Sequence, residues 1–404
     1  MKILQLCKKF PYPQKDGESI AIANLSKSLV ELGCEVHLLA MNTSRHYVRL
    51  DDVQDETSHY QKVYAVEVDN RLKPFDALQN LIKGNSYHVC RFESAHFEKN
   101  LKKLLSQEDY DVIQLETMYL APYLDIIRKH SKAIVAMRAH NVEHEIWERI
   151  TENTSFLPKK WYLSKLTRQL RDYEVGNLNR YDILVAISDE DLKKFKTLGY
   201  RNGAVSTPVG LDLSAYNNKE QEPESKTTLS FIGSLDWQPN LEGLKWYLKY
   251  IAPKVKGAEL HIAGRNTPDE VYAFSRNDNI TVHGEVPDAI NFIARHDIMI
   301  VPLLSGSGMR VKILEGMAMS KTVITTSKGM EGIDAVDGHN ILVADDPESF
   351  ATKVNWAIKN KDANRKIGEN AREFVEDHYN AKDVAKKLLK TYEYVLTQDY
   401  VTHS

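Results

Sequence analysis

The stretch Val301–Ile324, VPLLSGSGMRVKILEGMAMSKTVI, constrains the fold more than any other part of the chain. Asp297–Pro302 is a short apolar run of strand type. Ser305-Gly306-Ser307-Gly308 follows, and small residues there let a ligand approach the backbone closely. The pattern predicts a helix from near Met309, carrying Arg310, Lys312 and Glu315, and then a buried strand at Lys321–Thr325.

A helix N-terminus after a strand offers unpaired N–H groups and a charge of roughly +0.5, which suits a phosphate. Lys312 and Glu315 are three residues apart and share a helix face. A cation beside a carboxylate suits a ligand with both a diphosphate and a ribose: the carboxylate accepts from ribose hydroxyls while the cation meets phosphate. An i,i+3 surface ion pair beside a tight loop explains the same residues.

The rest of the chain shows the same alternation. Short β-type runs at Lys2–Cys7, Glu35–Met41, Lys62–Val68, Asp111–Leu115, Lys132–Arg138 and Asp182–Ile187 are separated by helical patterns such as Ser19–Leu32 and Lys159–Glu174. After a polar, aperiodic stretch at 217–226 (NNKEQEPESK), the alternation resumes. The runs are Thr228–Gly233, Glu259–Gly264, Asn279–Gly284, Asp297–Pro302, Lys321–Thr325 and Asn340–Val343. Strands alternating with helices imply parallel, doubly wound sheets. A chain of 404 residues exceeds one core, so two α/β domains are expected. They are placed at 1–208 and 209–380, with a last helix in 381–404 packing back on the N-terminal domain. Ligands in open parallel sheets bind beyond the carboxyl ends of the strands. Two such sheets facing each other would make a cleft with a ligand edge on both sides.

Composition excludes other classes. No run approaches the ~18 apolar residues of a membrane span. The start, MKILQLCKKF, reads as a first strand and not as a signal peptide. Cys7, Cys34 and Cys90 are odd in number and scattered, which fits a reducing cytosol better than a disulfide framework or zinc site. A net charge of −3 argues against nucleic acid as a partner.

The chain resembles the family 4 glycosyltransferases of the two-Rossmann GT-B fold over essentially its whole length. The matching elements stand in the family's order: FPYPQKDGESIAIANLSKSL, RAHNVEHEIW, VAISDEDLKKF, FIGSLDWQPN, HGEVPDAINFIARHDIMIVPL and GSGMRVKILEGMAM. The resemblance implies retaining transfer of a sugar from a nucleotide donor, without a metal or other cofactor, with the donor on the C-terminal domain. A glycan or a lipid-linked hydroxyl is the acceptor class it implies. It departs in two places. Where the family often has two glutamates separated by seven residues, Glu315 matches the second, the ribose residue, and Ser307 occupies the first. Where it often has an Arg after the first C-domain strand and a Lys a few residues on, this chain has Ser234 and, approximately, Asn240. Arg310 and Lys312 are read as relocated cations for the diphosphate. The donor set is therefore Gly17, Gly233, Ser307, Gly308, Met309, Arg310, Lys312, Glu315 and Glu331, the last two being candidates for ribose and donor sugar. Glu331 equally suits a structural cap.

In the N-terminal half, Asp16-Gly17-Glu18-Ser19 precedes a helix, and Gly17 would let a phosphate approach. His140, just past the strand Lys132–Arg138, matches a family active-site histidine and is the catalytic candidate; a satisfied structural histidine is the alternative. Arg138, Glu143 and His144 are its neighbours. No carboxylate nucleophile stands out, so same-face attack is expected, with the leaving phosphate taking the acceptor proton. Ser188-x-x-Asp191 reads as a helix cap. Trp161 and Tyr162, with Lys159, Lys160, Lys165, Arg168 and Arg171, form a basic amphipathic surface suited to anionic lipid. Asp172 and Glu174 dilute it, which favours a solvated helix, and peripheral membrane contact stays open as a partner. Two rivals share the architecture: a sugar-nucleotide 2-epimerase and a non-catalytic sugar-nucleotide-binding module.

Overall fold

The computed structural model describes residues 1–14, 16–44, 46–71, 86–216, 226–306 and 308–402. Ser307 and nearly all of the polar stretch 217–226 lie outside the described residues. Two compact units emerge: Met1–Gly210 with Ala381–Ser404, and Leu211–Asn380.

The first unit holds strands β1 (Lys2–Cys7), β2 (Glu35–Thr43), β3 (Lys62–Val68), β4 (Val112–Leu115), β5 (Ile134–Ala139), β6 (Ile183–Ala186) and β7 (Gly203–Ser206). They form one parallel sheet in the order β3-β2-β1-β4-β5-β6-β7. Alternate residues of the strands feed two cores. Leu4, Leu6, Ile113 and Leu115 point to one face, and Ile3, Val112 and Ile183 to the other. Each such buried side chain contributes about 1.5–3 kcal/mol, which is why both faces need helices over them. The edge strand β7 was not expected from sequence. Its four residues, GAVS, are too short and too small to give an apolar run.

The second unit holds β8 (Thr227–Ile232), β9 (Ala258–Ala263), β10 (Ile280–Gly284), β11 (Ile298–Val301), β12 (Thr322–Thr325) and β13 (Leu342–Val343). Their order is β10-β9-β8-β11-β12-β13, again parallel. In both units the chain direction across the sheet reverses beside the first strand, between β1 and β4 and between β8 and β11. That reversal opens a crevice beyond the strands' carboxyl ends, where ligands bind in such sheets.

The helices that matter below are α1 (Gly17–Glu31), α2 (Glu143–Glu152), α3 (Leu157–Asn177), α4 (Gln238–Trp246), α5 (Val311–Ala318) and α6 (Ala381–Thr402). Helix α6 lies in the first unit. Its Ala385, Leu388 and Tyr392 join the core of Ile22 and Leu25, and Tyr392 Oη donates to Gln114 Oε1 at 2.6 Å. Helix α5 starts two residues later than the sequence pattern suggests. Arg310 is its N-cap, with φ −88° and ψ 81°, outside the helical region. Among the described residues no helix is long and apolar enough to cross a membrane.

Candidate functional site

In the second unit Gly233, Arg310 and Lys312 come together beyond the carboxyl end of β8. The loop between β11 and α5 turns through Gly306 and Gly308, at φ 104° and 80°. Side chains rarely adopt those angles, so the sequence needs glycine at both. The turn brings the Arg310 guanidinium over the Trp237 ring, 5.8 Å from its centroid, and one of its nitrogens donates to the Gly308 carbonyl. Met309 is half-buried between them.

One residue into α5, Lys312 reaches back under the loop. Its Nζ donates to Asn240 Oδ1 at 2.7 Å and to the Ile232 carbonyl at 3.3 Å, and lies 5.3 Å from the Phe231 ring centroid. Asn240, on α4, is buried and donates in turn to the Ser234 carbonyl at 2.9 Å. Gly233 makes this possible: a Cβ there would stand 2.6 Å from Asn240 Nδ2. Asn240 and Ser234 are the two positions where the sequence departs from the family's cations, and the Lys312 ammonium now occupies their neighbourhood. Burial pulls the Lys312 ammonium down to about 7; the Arg310 charge adds to that and Glu315 opposes it.

Glu315 lies one turn along the same helix face. Its Oε1 accepts from Tyr216 Oη at 3.2 Å. Burial raises its pKa, against the Tyr216 hydrogen bond and the Lys312 charge. The surface ion pair is thus not what forms. Lys312 and Glu315 share a face, yet among the described residues each hydrogen-bonds only neutral groups. Glu331, the remaining candidate of this unit, follows β12 and pairs with Lys328 at 2.7 Å.

In the first unit His140 immediately follows β5. Its Nε2 lies 3.0 Å from Glu116 Oε2, at the end of β4. Glu116 is fully buried and holds a network: Arg138 Nη1 donates to Oε2 at 3.3 Å, Gln5 Nε2 donates to Oε1 at 2.7 Å, and Gln114 adds a further short hydrogen bond. Burial alone would raise this carboxyl; the Arg138 and His140 contacts outweigh it and hold it at about 2. Arg138 also donates to the Ala21 carbonyl at 3.2 Å, while its Nε and Nη2 find no partner among the described residues. Glu116 therefore fixes the ring of His140, and Arg138 fixes Glu116.

Gly17 opens α1, and the side chain of Asp16 caps that N-terminus at one amide. Asp16 Oδ1 accepts from the Ser19 amide at 3.0 Å, and Asp16 Oδ2 pairs with Lys9 at 2.7 Å. Glu18 takes Lys8 and Lys9 at 3.4 and 3.5 Å; burial pushes it up, but the two lysines leave it lowered. Glu143, at the start of α2, accepts from Tyr119 Oη at 3.0 Å, and burial raises its pKa. His144 is structural: its Nδ1 lies 2.6 Å from Glu174 Oε2, and Glu174 also accepts the amides of Glu143 and His144. Ser188 caps its helix by accepting from the Asp191 amide at 3.1 Å.

Sequence reasoning missed Glu116, Gln5 and Tyr216. Glu116 had a legible signal, an acid directly after an apolar strand and beside β1. Gln5 is a polar residue inside a strand buried on both faces. Tyr216 gave no local signal; its role rests on a contact with Glu315, 99 residues away.

Residues 226–360 match the family model for glycosyl transferases group 1. A 44.6 kDa protein from the cps region of Klebsiella pneumoniae is 23% identical over 418 residues, covering 96% of this chain and 99% of its own. Anabaena HepE, solved in complex with UDP, superposes with a TM-score of 0.69 at 14% identity, covering 97% of this chain and 100% of its own. Sucrose-phosphate synthase from Thermosynechococcus elongatus superposes with a TM-score of 0.73 at 13% identity, covering 98% and 100%. At such identities the likeness to the solved structures is one of fold. The chain has the GT-B fold of two parallel α/β domains, and its residues 226–360 match the group 1 glycosyl transferases.

Proposed function

We propose that the protein is a family 4 glycosyltransferase that moves a sugar, with retention, from a nucleoside-diphosphate donor to a hydroxyl of a glycan or lipid-linked acceptor. The observation that carries the reading is the pair Lys312 and Glu315. They are a half-buried cation and a half-buried carboxylate on one helix face, each held, among the described residues, by neutral partners. Placing two such charges in a poorly solvated site is costly unless a ligand completes them. A nucleotide diphosphate does so: ribose hydroxyls donate to Glu315, and phosphate oxygens accept from Lys312, Arg310 and the first amides of α5. The complex of Anabaena HepE with UDP fits this ligand class, and the relative from a cps region fits a role in cell-surface polysaccharide or glycoconjugate synthesis.

The chemistry follows from charge. Breaking the bond between C1 of the sugar and the diphosphate leaves an electron pair on phosphate and an oxocarbenium-like sugar. Arg310 and Lys312 stabilise the departing phosphate, a task the scheme gives to these side chains and not to a metal. The acceptor oxygen then attacks C1 from the same face, and its proton passes to the leaving phosphate. His140, oriented by Glu116, meets a donor-sugar hydroxyl or the charge that develops on the sugar.

A thermal-shift screen across nucleoside-diphosphate sugars tests the binding half, because a ligand at 100 times its Kd stabilises by about 2.7 kcal/mol. Release of nucleoside diphosphate that depends on added glycan or lipid-linked acceptor is the expected activity. Epimerisation of the sugar nucleotide with no acceptor present would replace this reading with that of an isomerase.

A further inference from the structure

A second functional surface lies on the first unit, away from the residues around His140. Helix α2 ends at Glu152 and α3 begins at Leu157, so the chain makes a tight hairpin there. Its tip is apolar and exposed: Phe156 is 67% accessible, Leu157 76% and Trp161 66%. Ile150, on the last turn of α2, is also exposed. Side chains this large are normally buried, and three of them at one helix start need an explanation.

Their neighbours are basic. Leu157, Trp161, Lys165 and Arg168 lie four, four and three residues apart, so they share one face of α3. Arg171, three residues beyond Arg168, extends that face, while Leu163, Leu166 and Leu170 hold the opposite face in the protein. The sequence counted Glu174 against this surface, but the structure removes it. Glu174 is buried and spent on His144 and two backbone amides. Glu152 and Asp172 remain as exposed acids, one at each end of the patch.

We propose that this helix hairpin docks the protein on an anionic lipid bilayer. Phe156, Leu157 and Trp161 insert at the acyl boundary, and Lys165, Arg168 and Arg171 lie against the phosphate headgroups. The pattern is that of an interfacial amphipathic helix: an apolar wedge with an aromatic suited to the interface, bordered by cations. A second copy of the chain fits less well. Large aromatics bury about 150–250 Å² each, so the wedge falls short of the ~800 Å² per partner of a stable protein interface, and its cations would face each other. The inference rests on this surface alone and stands whether or not the sugar-transfer reading is right.

The test is flotation of the full chain with vesicles of phosphatidylcholine carrying anionic phosphatidylglycerol, against phosphatidylcholine alone. Binding is expected only to the anionic vesicles and is expected to weaken with salt. Each cation near such a surface changes partitioning about fivefold, so Lys165→Ala with Arg168→Ala should lower it roughly 25-fold. Phe156→Ser, Leu157→Ser and Trp161→Ser together should abolish it, with the melting temperature in the absence of vesicles unchanged. Should the triple variant fold poorly, Leu157→Ser alone, at the most exposed of the three positions, decides in its place. No binding to anionic vesicles, equal binding to uncharged ones, variants that float like the parent, or self-association lost in Leu157→Ser would each overturn the proposal.

Discussion

Lys312 is the residue on which the donor site turns, and its protonation gives the most informative perturbation. In the free protein burial holds its ammonium at about 7, so near neutral pH it is only partly charged. A diphosphate changes that balance. Two unit charges 4 Å apart attract by about 4 kcal/mol at an effective dielectric of 20, enough to return the ammonium to its charged form. Binding should therefore take up a proton. At pH 8.5 the free lysine is almost wholly neutral and the uptake approaches one proton per nucleotide. The nucleotide's own second phosphate ionisation, at about 6, is already complete there. The sign follows: affinity for UDP is flat below pH 7 on account of this lysine and falls about tenfold per unit above it, until the pKa of the complex is reached. Calorimetry at fixed pH in buffers of different ionisation enthalpy measures the uptake directly. Lys312→Met, which keeps the volume, should remove the uptake and weaken UDP by roughly 10- to 150-fold at pH 7, the range for one charge-assisted hydrogen bond. Uridine, lacking phosphate, should change little. UDP binding without proton uptake at pH 8.5, or equal losses for UDP and uridine, would refute the assignment of Lys312 to the diphosphate.

Three further outcomes are expected. Glu315→Gln should weaken UDP and uridine alike by about 1.5–3 kcal/mol, as read by calorimetry; unchanged affinity in a folded variant would remove Glu315 from the ribose. His140→Ala should lower kcat by roughly 10²–10³, the loss of one electrostatic stabiliser, with UDP affinity nearly unchanged; near-normal turnover at reduced Tm would make it a structural histidine. Glu116, held at about 2 when folded, contributes stability that is present above its ordinary value near 4.3 and lost as pH falls towards 2. Glu116→Gln should flatten the acid limb of the unfolding curve and cost about 3–5 kcal/mol by leaving Arg138 buried beside a neutral group; a variant as stable as the parent would show that the network is not needed.

The fold was legible because its signal is local. Ile298–Val301 is apolar at every position and Thr322–Thr325 is β-branched at every position, as suits strands covered on both faces, and the helices between them carry their own periodicity. The signal failed at β7, where four small residues pair at a sheet edge. In the site, the spacing of Lys312 and Glu315 was visible, but their partners were not. Asn240 and Tyr216 meet them across 72 and 99 residues, and only the strand order brings those segments together. The loop before α1 shows the opposite case. Its cap is local, because Asp16 accepts from the Ser19 amide three residues on, and the Asp-Gly-Glu-Ser pattern shows it directly. Surface character was read from the cations and from Trp161 and Tyr162. Exposure of Phe156 and Leu157, and the burial of Glu174, depend on which way α3 turns its faces, and that is set by packing.

The proposed donor site requires the second unit to hold a nucleotide diphosphate through α5 and the loop before it. A crystal structure of the chain with UDP is the decisive measurement. Phosphate oxygens are expected within hydrogen-bond reach of Lys312 Nζ and the Arg310 guanidinium, and ribose hydroxyls on the Glu315 carboxylate. A nucleotide bound elsewhere, or one seated here with Lys312 still turned to Asn240 and the Ile232 carbonyl and no phosphate beside it, would contradict it.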